Sequence, residues 1–488
     1  MGQGTSGRRI VARVRSIGAR LLPALAVGTM LSVAPAAAQR PLGARAPVPV
    51  ALPPARTSGP PNIILILADD FGVEGVNAYG GEYYTPNIDR LAREGMRFDN
   101  AHATPLCSPS RTRIMTGLEN HRNYQAFGYL APGQRTFANV LKDAGYATGI
   151  VGKWQLMGNG FDGRVGITPE AAGFDESYLW QLKALDAKGS RYWGPTRGEN
   201  GVVKISEEGF GPDDDSHFAL SFIDRHKDKP FFLYYSMVLV HSPFVPTPDS
   251  MTAQGDKNRF SGMVSYMDRK VGELMAKLKA DGLDKNTIVI FTGDNGTGRA
   301  IYSMRSGYEI RGGKGMPTVN GTHVPMIAWG IGVPQGRVSD ALFDFADVLP
   351  TLADIAGAPV APGTVDGVSQ WPVMEGRQAS VRDSIFIHYA PMWVFEPTRF
   401  AFDVHWKLYG DGRFVSIDPV AGTETDVPTD HLRGEAARRY AALRKVLDEA
   451  NDGPLDPTRF PWCAGRASLD PAKPAEIAGC DFRPGGNE

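Results

Sequence analysis

The sequence predicts an α/β fold: a mainly parallel central sheet with helices on both faces, plus a smaller C-terminal α+β domain with a short antiparallel sheet. Three observations carry this expectation. Continuous apolar runs of strand length, such as Asn62-Ile63-Ile64-Leu65-Ile66-Leu67-Ala68 and Thr287-Ile288-Val289-Ile290-Phe291, suit strands covered on both faces. Segments of helical periodicity alternate with them, the pattern of a parallel sheet wrapped on two sides. Past about Arg377 the strand-like segments become shorter and more polar. A chain of 488 residues, 42% hydrophobic and 10% aromatic, can bury a large core.

Taken in order, Arg8, Arg9, Arg13, Arg15 and Arg20 precede an apolar stretch from Leu21 to Val33, and Ala36-Ala37-Ala38 follows as a small-residue cleavage site. Residues 1–38 therefore read as a signal peptide, which predicts a periplasmic or secreted protein. Pro23 and Pro35 interrupt a segment too short to span a bilayer comfortably, so no stable membrane anchor is expected. Residues 39–61, rich in Pro, Ala and Arg and without periodicity, read as an extended linker.

A main domain is expected over 62–376. Its strands are Asn62–Ala68, Ala147–Val151, Phe231–Val240, Thr287–Phe291 and Val324–Trp329. Its helices are Pro86–Glu94, Thr136–Ala144, His217–Lys227, Ser261–Ala280 and Leu342–Ala356. A second unit with a tail is expected over 377–488, with strands at Ser384–His388, Phe400–Leu408 and Arg413–Ile417 and a helix over Gly434–Glu449. No internal repeat or heptad run is present.

With 52 Lys and Arg against 53 Asp and Glu, the net charge is -1, and no global field favours nucleic acid or an anionic membrane. Any anion must be recognised locally. Three cysteines are an odd number for an exported protein. Cys463 and Cys480, close together in the tail, can pair in an oxidising compartment and leave Cys107 over, while a bond from Cys107 to either of them stays open.

Two predicted strands end in paired polar residues, Asp69-Asp70-Phe71-Gly72 and Gly293-Asp294-Asn295-Gly296. In an open α/β sheet, ligands bind beyond the carboxyl ends of strands. Three carboxylates and one amide oxygen are hard ligands that suit Ca²⁺ in preference to Mg²⁺, at distances of about 2.3–2.6 Å. Singly, each Asp would be read as a cap of a turn or helix; together with the next motif, they favour a metal. Gly312-Gly313-Lys314-Gly315 is not a nucleotide-binding loop, because Tyr308 stands where that motif needs Gly and Gly315 where it needs Ser or Thr.

The run Cys107-Ser108-Pro109-Ser110-Arg111, preceded by Pro105 and followed by Thr112-Arg113-Ile114-Met115-Thr116-Gly117, resembles the signature by which type I sulfatases have their nucleophile made. The resemblance extends from about Asn62 to Gly330, through Thr85-Pro86-Asn87-Ile88-Asp89-Arg90-Leu91-Ala92, Gly152-Lys153-Trp154 and Arg311-Gly312-Gly313-Lys314-Gly315. This formylglycine-dependent, arylsulfatase-like family belongs to the alkaline phosphatase superfamily.

The resemblance implies that formylglycine-generating machinery converts Cys107 before export, so that the residue does no thiol chemistry itself. It implies a calcium site of Asp69, Asp70, Asp294, Asn295 and one oxygen of modified Cys107, with Asp294 close enough to take the nucleophile's proton. Lys153, Lys314 and Arg111 would hold sulfate and orient the aldehyde hydrate, and His241 would protonate the leaving alcohol. One hydrate oxygen attacks sulfur, and return of the other to C=O releases sulfate. The expected substrate is a small-molecule or carbohydrate sulfate ester; the alternatives are a phosphonate or phosphate ester hydrolase and a sulfated-glycan binding protein.

Two places depart from the family pattern. Gln155 stands where the family has a His two residues after the lysine, and Gln cannot act as a base at pH 7. Asn320-Gly321-Thr322-His323-Val324-Pro325 replaces a pattern of Glu-Gly-Gly and Arg. Tyr302, Tyr308 and Trp393, aromatics of predicted loops, could line the mouth of the site, but aromatics at such places more often pack, so no sugar or aryl leaving group is assigned from them.

Overall fold

The computed structural model describes residues 59–158, 164–182, 189–391 and 398–450. The expected signal peptide, the linker before residue 59, Trp393 and the two tail cysteines lie outside the described residues. Among the described residues, twelve strands precede the C-terminal unit. They are Asn62–Ala68 (β1), Met96–His102 (β2), Ala147–Lys153 (β3), Glu176–Trp180 (β4), Thr196–Glu199 (β5), Val202–Ile205 (β6), Phe231–Ser236 (β7), Thr287–Gly293 (β8), Tyr302–Arg305 (β9), Tyr308–Arg311 (β10), His323–Gly330 (β11) and Arg337–Asp344 (β12). Helices are Pro86–Glu94 (α1), Cys107–Thr116 (α2), Asn120–Asn123 (α3), Phe137–Asp143 (α4), Gly211–His226 (α5), Asp256–Ala280 (α6), Val319–Thr322 (α7), Val348–Ala356 (α8), Trp371–Met374 (α9) and Gly434–Glu449 (α10).

Ten strands form one mixed sheet in the order β12-β2-β11-β8-β1-β7-β3-β4-β5-β6, while β9 and β10 make a separate hairpin. The centre, β8-β1-β7-β3-β4, is parallel throughout. All seven residues of β1 are buried. Ile63, Leu65 and Leu67 enter one core and Ile64, Ile66 and Ala68 the other, because alternate side chains of a strand point to opposite faces. The first core holds Phe137 and Leu141 of α4 and Leu349 and Leu352 of α8. The second holds Leu91 of α1, Phe222 of α5 and Met263 and Val271 of α6. The expected α/β class, with helices on both faces, is the observed one.

The smaller sheet contains Ile385–Tyr389 (β13), Thr398–Phe402 (β14), Trp406–Tyr409 (β15), Phe414–Asp418 (β16) and Thr423–Asp426 (β17), consecutive and antiparallel. Phe386, Ala401, Leu408 and Phe414 pack on Leu443 and Leu447 of α10. Ile385, Ile387, Tyr389 and Phe400 cluster instead with Leu106, Cys107, Phe127 and Val319, so the second sheet forms a wall of the region around Cys107.

Several sequence-based bounds need correction. The apolar run 231–240 is strand only to Ser236; beyond it the chain leaves the ladder, with Val240 N donating to Asp69 O at 2.8 Å and Asp69 N to Leu239 O at 2.8 Å. The segment 342–356 is the end of β12 and then α8. Asp344 separates them by accepting from Ala346 N, a cap that stops the strand pattern. Helix α5 starts earlier, at Gly211, where Pro212 suits a first turn, and α6 starts at Asp256. Phe400–Leu408 is two strands, broken where the Asp403 carboxylate accepts from His405 N and Trp406 N, each at 2.9 Å. Strands β2, β4, β5 and β6, the start of β12 and helix α2 had no element assigned, because their polar or short patterns carry no clear period.

Candidate active site

Strands β1 and β8 are parallel neighbours in a register that pairs Ala68 with Gly293. They therefore end at the same level, which sets the acidic pairs beyond them side by side. Asp70 N donates to Asp294 Oδ1 at 2.9 Å, and Asn295 Nδ2 donates to Asp70 Oδ1 at 2.9 Å. Asp70 takes φ 57, a left-handed conformation rare outside glycine, which aims the pair off the strand end.

Strand β3 ends at Lys153, whose Nζ donates to Asp69 Oδ1 at 3.0 Å and Oδ2 at 2.9 Å. Strand β7, between β3 and β1, ends at Ser236, whose hydroxyl donates to Lys153 O at 2.7 Å and accepts from Arg111 Nη1.

The Cys107 pentapeptide opens helix α2, so Cys107 and Arg111, four residues apart, share its face toward the strand ends. Arg111 Nε donates to Asp294 Oδ2 at 3.0 Å, while Nη2 lies 2.8 Å from that oxygen and 3.5 Å from Asp69 Oδ1. Cys107 is fully buried, and burial pushes its thiol up to about 11 despite the lowering fields of Lys153 and Lys314. At neutral pH it is a protonated thiol, not a thiolate nucleophile.

His241 comes from the irregular segment after β7, not from a strand end. Its Nδ1–H donates to Ser242 O at 2.5 Å, which leaves Nε2 as the acceptor of Lys314 Nζ at 2.8 Å. Lys314 Nζ also pairs with Asp70 Oδ2 at 3.0 Å, and His241 Nε2 lies 3.6 Å from the same oxygen. Burial, then the charges of Arg191 and Lys314, hold the imidazole well below its usual range. The loop carrying Lys314 runs so close to α7 that a Cβ on Gly313 would lie 2.2 Å from the carbonyl carbon of Asn320. The altered segment Asn320–Pro325 thus supports this loop, and its His323 stacks on His102 away from the acids.

Gln155 is buried two residues past β3 at φ 58, and its Oε1 accepts from Ser108 Oγ at 3.4 Å. Tyr302 and Tyr308 are about half exposed on the β9–β10 hairpin.

Burial opposes ionisation of Asp69, yet Lys153, His241, Arg111 and Arg191 together hold its carboxyl far below the ordinary range. Burial and the neighbouring Asp69 push Asp294 up to about 7. Donor atoms of Asp69, Asp70 and His241, all buried, lie within 4.8 Å of one another, close enough to hold a metal ion together. Asn295 Oδ1 is buried with no hydrogen-bond partner among the described residues, as expected of an oxygen kept for a cation. Asp69, Asp70, Asp294, Asn295, Arg111, Lys153, His241 and Lys314 are thus linked by contacts, with Cys107 in the field of their charges, whereas Gln155 contacts Ser108. His241 reaches the carboxylates themselves, a proximity its sequence position did not reveal.

Ser236 and Arg191 went unnoticed in the sequence. Arg191, in the loop before β5, is buried with Nη1 3.9 Å from Asp69 Oδ2 and its guanidinium 4.1 Å above the Trp180 ring. Nothing in Lys188-Gly189-Ser190-Arg191-Tyr192 distinguishes it from a solvated loop arginine.

Acidic pairs at adjacent strand ends, beside buried cations and a cysteine heading a helix, form a charged cluster where α/β enzymes bind their ligands. The Sulfatase family model matches residues 61–358, more than half of the chain, and the chain belongs to that family: it is a sulfatase, a hydrolase of sulfate esters. It is 32% identical to arylsulfatase A of Homo sapiens over 369 residues, 67% of this chain and 70% of that protein. It is 31% identical to N-acetylgalactosamine-6-O-sulfatase of Bacteroides thetaiotaomicron over 383 residues, 62% of this chain and 74% of that protein. The fold matches the crystal structure of Ps i-CgsB with TM-score 0.67 and 26% identity, covering 80% of this chain and 92% of that one. That protein is also known in complex with k-i-k-neocarrahexaose.

Proposed function

We propose that this protein cleaves the S–O bond of a carbohydrate or other small-molecule sulfate ester, using formylglycine made from Cys107 and a calcium ion held by Asp69, Asp70, Asp294, Asn295 and one oxygen of modified Cys107. The observation that carries the reading is Cys107 itself: a protonated, buried thiol at the head of α2, within the fields of Lys153, Lys314, Asp69 and Asp294. Such a thiol is useless as a thiolate, and its surroundings suit an oxygen nucleophile beside a cation. The hard oxygen donors and the unpartnered Asn295 Oδ1 suit calcium. Bound there, a divalent ion would neutralise charge on a sulfate oxygen and lower the pKa of a neighbouring hydroxyl. The hydrated aldehyde would supply the attacking oxygen and, on returning to C=O, a way to release sulfate.

Each residue of the chain then has a task. Asp294, with its carboxyl up at about 7 in the absence of an ion, takes the nucleophile's proton. Arg111 spends its donors on Asp294 and Ser236, so it orients that base more than it touches substrate. Lys153 and Lys314 hold sulfate oxygens, each charge-assisted bond contributing about 1.5–3 kcal/mol. The leaving oxygen is protonated through the Lys314–His241 pair, because Nδ1 of His241 is tied to a carbonyl and its Nε2 is fed by Lys314. Gln155, uncharged and bonded to Ser108, steadies the head of α2; when sulfate leaves, the remaining hydroxyl's proton passes to Lys314, which has given its own to the leaving alcohol. Residues 1–38 are removed on export, and the enzyme works in the periplasm or outside the cell.

Peptide mass analysis around residue 107 should show loss of sulfur, and C107A should abolish multiple turnover of 4-nitrophenyl sulfate. A retained thiol in an active enzyme, or unchanged turnover by C107A, would sink the reading. Faster turnover of matched phosphate or phosphonate esters would replace the sulfate ester by those substrates.

A further inference from the structure

We propose that Arg191 is a substrate-binding residue whose Nη1–H donates to a sulfuryl oxygen of the ester. The inference rests on the reading of this site as one that binds sulfate esters. Arg191 is 6% exposed, and its Nη1 has no hydrogen-bond partner among the described residues. At 3.9 Å from Asp69 Oδ2, that nitrogen is beyond hydrogen-bond reach, so the ion pair leaves the N–H unspent. A buried charged donor without an acceptor is costly and calls for one.

The side chain is also held in place. Its guanidinium stacks on Trp180 at 4.1 Å, and Trp180 pairs in register with Lys153, so both cations stand at the same level beyond the strand ends. Without an ion, Arg111, Lys153, Arg191 and Lys314 face Asp69, Asp70 and Asp294, an excess of positive charge that suits a sulfuryl group. Arg111, Lys153 and Lys314 each make a contact of 3.0 Å or less to one of these carboxylates, whereas Arg191 stands off. Its nearness to Asp69 aims it at the sulfuryl group and not at a distant substituent of the alcohol. It also supplies a cation in a site where position 155 has no ionisable side chain.

The test uses the mature, calcium-loaded enzyme and its R191Q and R191K variants. 4-Nitrophenyl sulfate is the substrate, as it carries no second anion, and inorganic sulfate is the competitive inhibitor. R191Q should raise KM and the inhibition constant of sulfate together, by about 10- to 100-fold, with R191K restoring part of both. A merely structural role would lower kcat and thermal stability with both constants unchanged, and a role in reading the alcohol would leave sulfate inhibition unchanged; either result overturns the proposal. Should the wild type turn over neither the aryl ester nor a sulfated sugar, the functional reading fails on its own. Calorimetry with inorganic sulfate then decides this inference: weaker binding by R191Q supports it, and equal binding overturns it.

Discussion

At the residue scale, the site is governed by how protons are held among buried side chains. The Nδ1–H of His241 is spent on Ser242 O, so in the proposed reaction the leaving-group proton passes through Nε2 and Lys314. Replacing His241 by Gln should therefore cost most where the alcohol leaves badly. We expect a loss of about 10²- to 10⁴-fold in kcat/KM for an alkyl or sugar sulfate and a much smaller one for 4-nitrophenyl sulfate. Equal losses on both substrates would remove His241 from that role.

Asp294 gives a second prediction at this scale. In the ion-free protein its carboxyl sits up at about 7, raised by burial and by Asp69, so at pH 6 it is mainly protonated. A cation needs the carboxylate, so calcium binding at pH 6 should release a proton, its affinity should rise as pH climbs toward 7, and the release should fade by pH 8. Calorimetry in two buffers of different ionisation enthalpy measures this. No proton release at pH 6 would contradict the assignment, and D294N should abolish it.

At the element scale, precision comes from strands that end together. Gly152, next to Lys153, takes φ 103, and a Cβ there would lie 1.9 Å from Ser236 O. The close approach of β3 to β7 at this point brings Lys153 O onto the Ser236 hydroxyl. G152A should cost about 2–4 kcal/mol, read by denaturant unfolding, and should lower activity further by moving Lys153. Helix α2 is the other device: its four-residue spacing turns a linear signature into two side chains on one face. Which elements were legible follows from the same physics. β1, α1 and α10 matched their expected bounds because their patterns are uninterrupted. α2 was missed because all of its ten residues are buried, polar ones included, which leaves no amphipathic period to read.

At the scale of the whole molecule, the two sheets meet at Arg113, the second arginine after Cys107. Its Nη2 lies 2.7 Å from Asp344 of β12 and 2.8 Å from Glu119, and it donates to Phe386 O of β13 at 2.8 Å. Arg382 joins from the other side, 3.4 Å from Asp344. This network couples helix α2, which carries Cys107, to the C-terminal sheet that packs beside it. Removing one partner strands buried charges, so R113M should destabilise by about 3–5 kcal/mol and lower activity at temperatures where wild type is fully folded. Thermal unfolding within 1 kcal/mol of wild type would show that the sheets are joined by apolar packing instead.

Local pattern alone determined the α/β class, the paired acids at two strand ends and the signature around Cys107, because these depend on residue type at short spacing. Tertiary structure alone decided that β1 and β8 are neighbours in register, that His241 leans on Lys314 and Asp70, and that Arg191 enters from a distant loop. Those facts arise from contacts between residues far apart in the chain, and a buried cation cannot be told from a solvated one until its partners close around it.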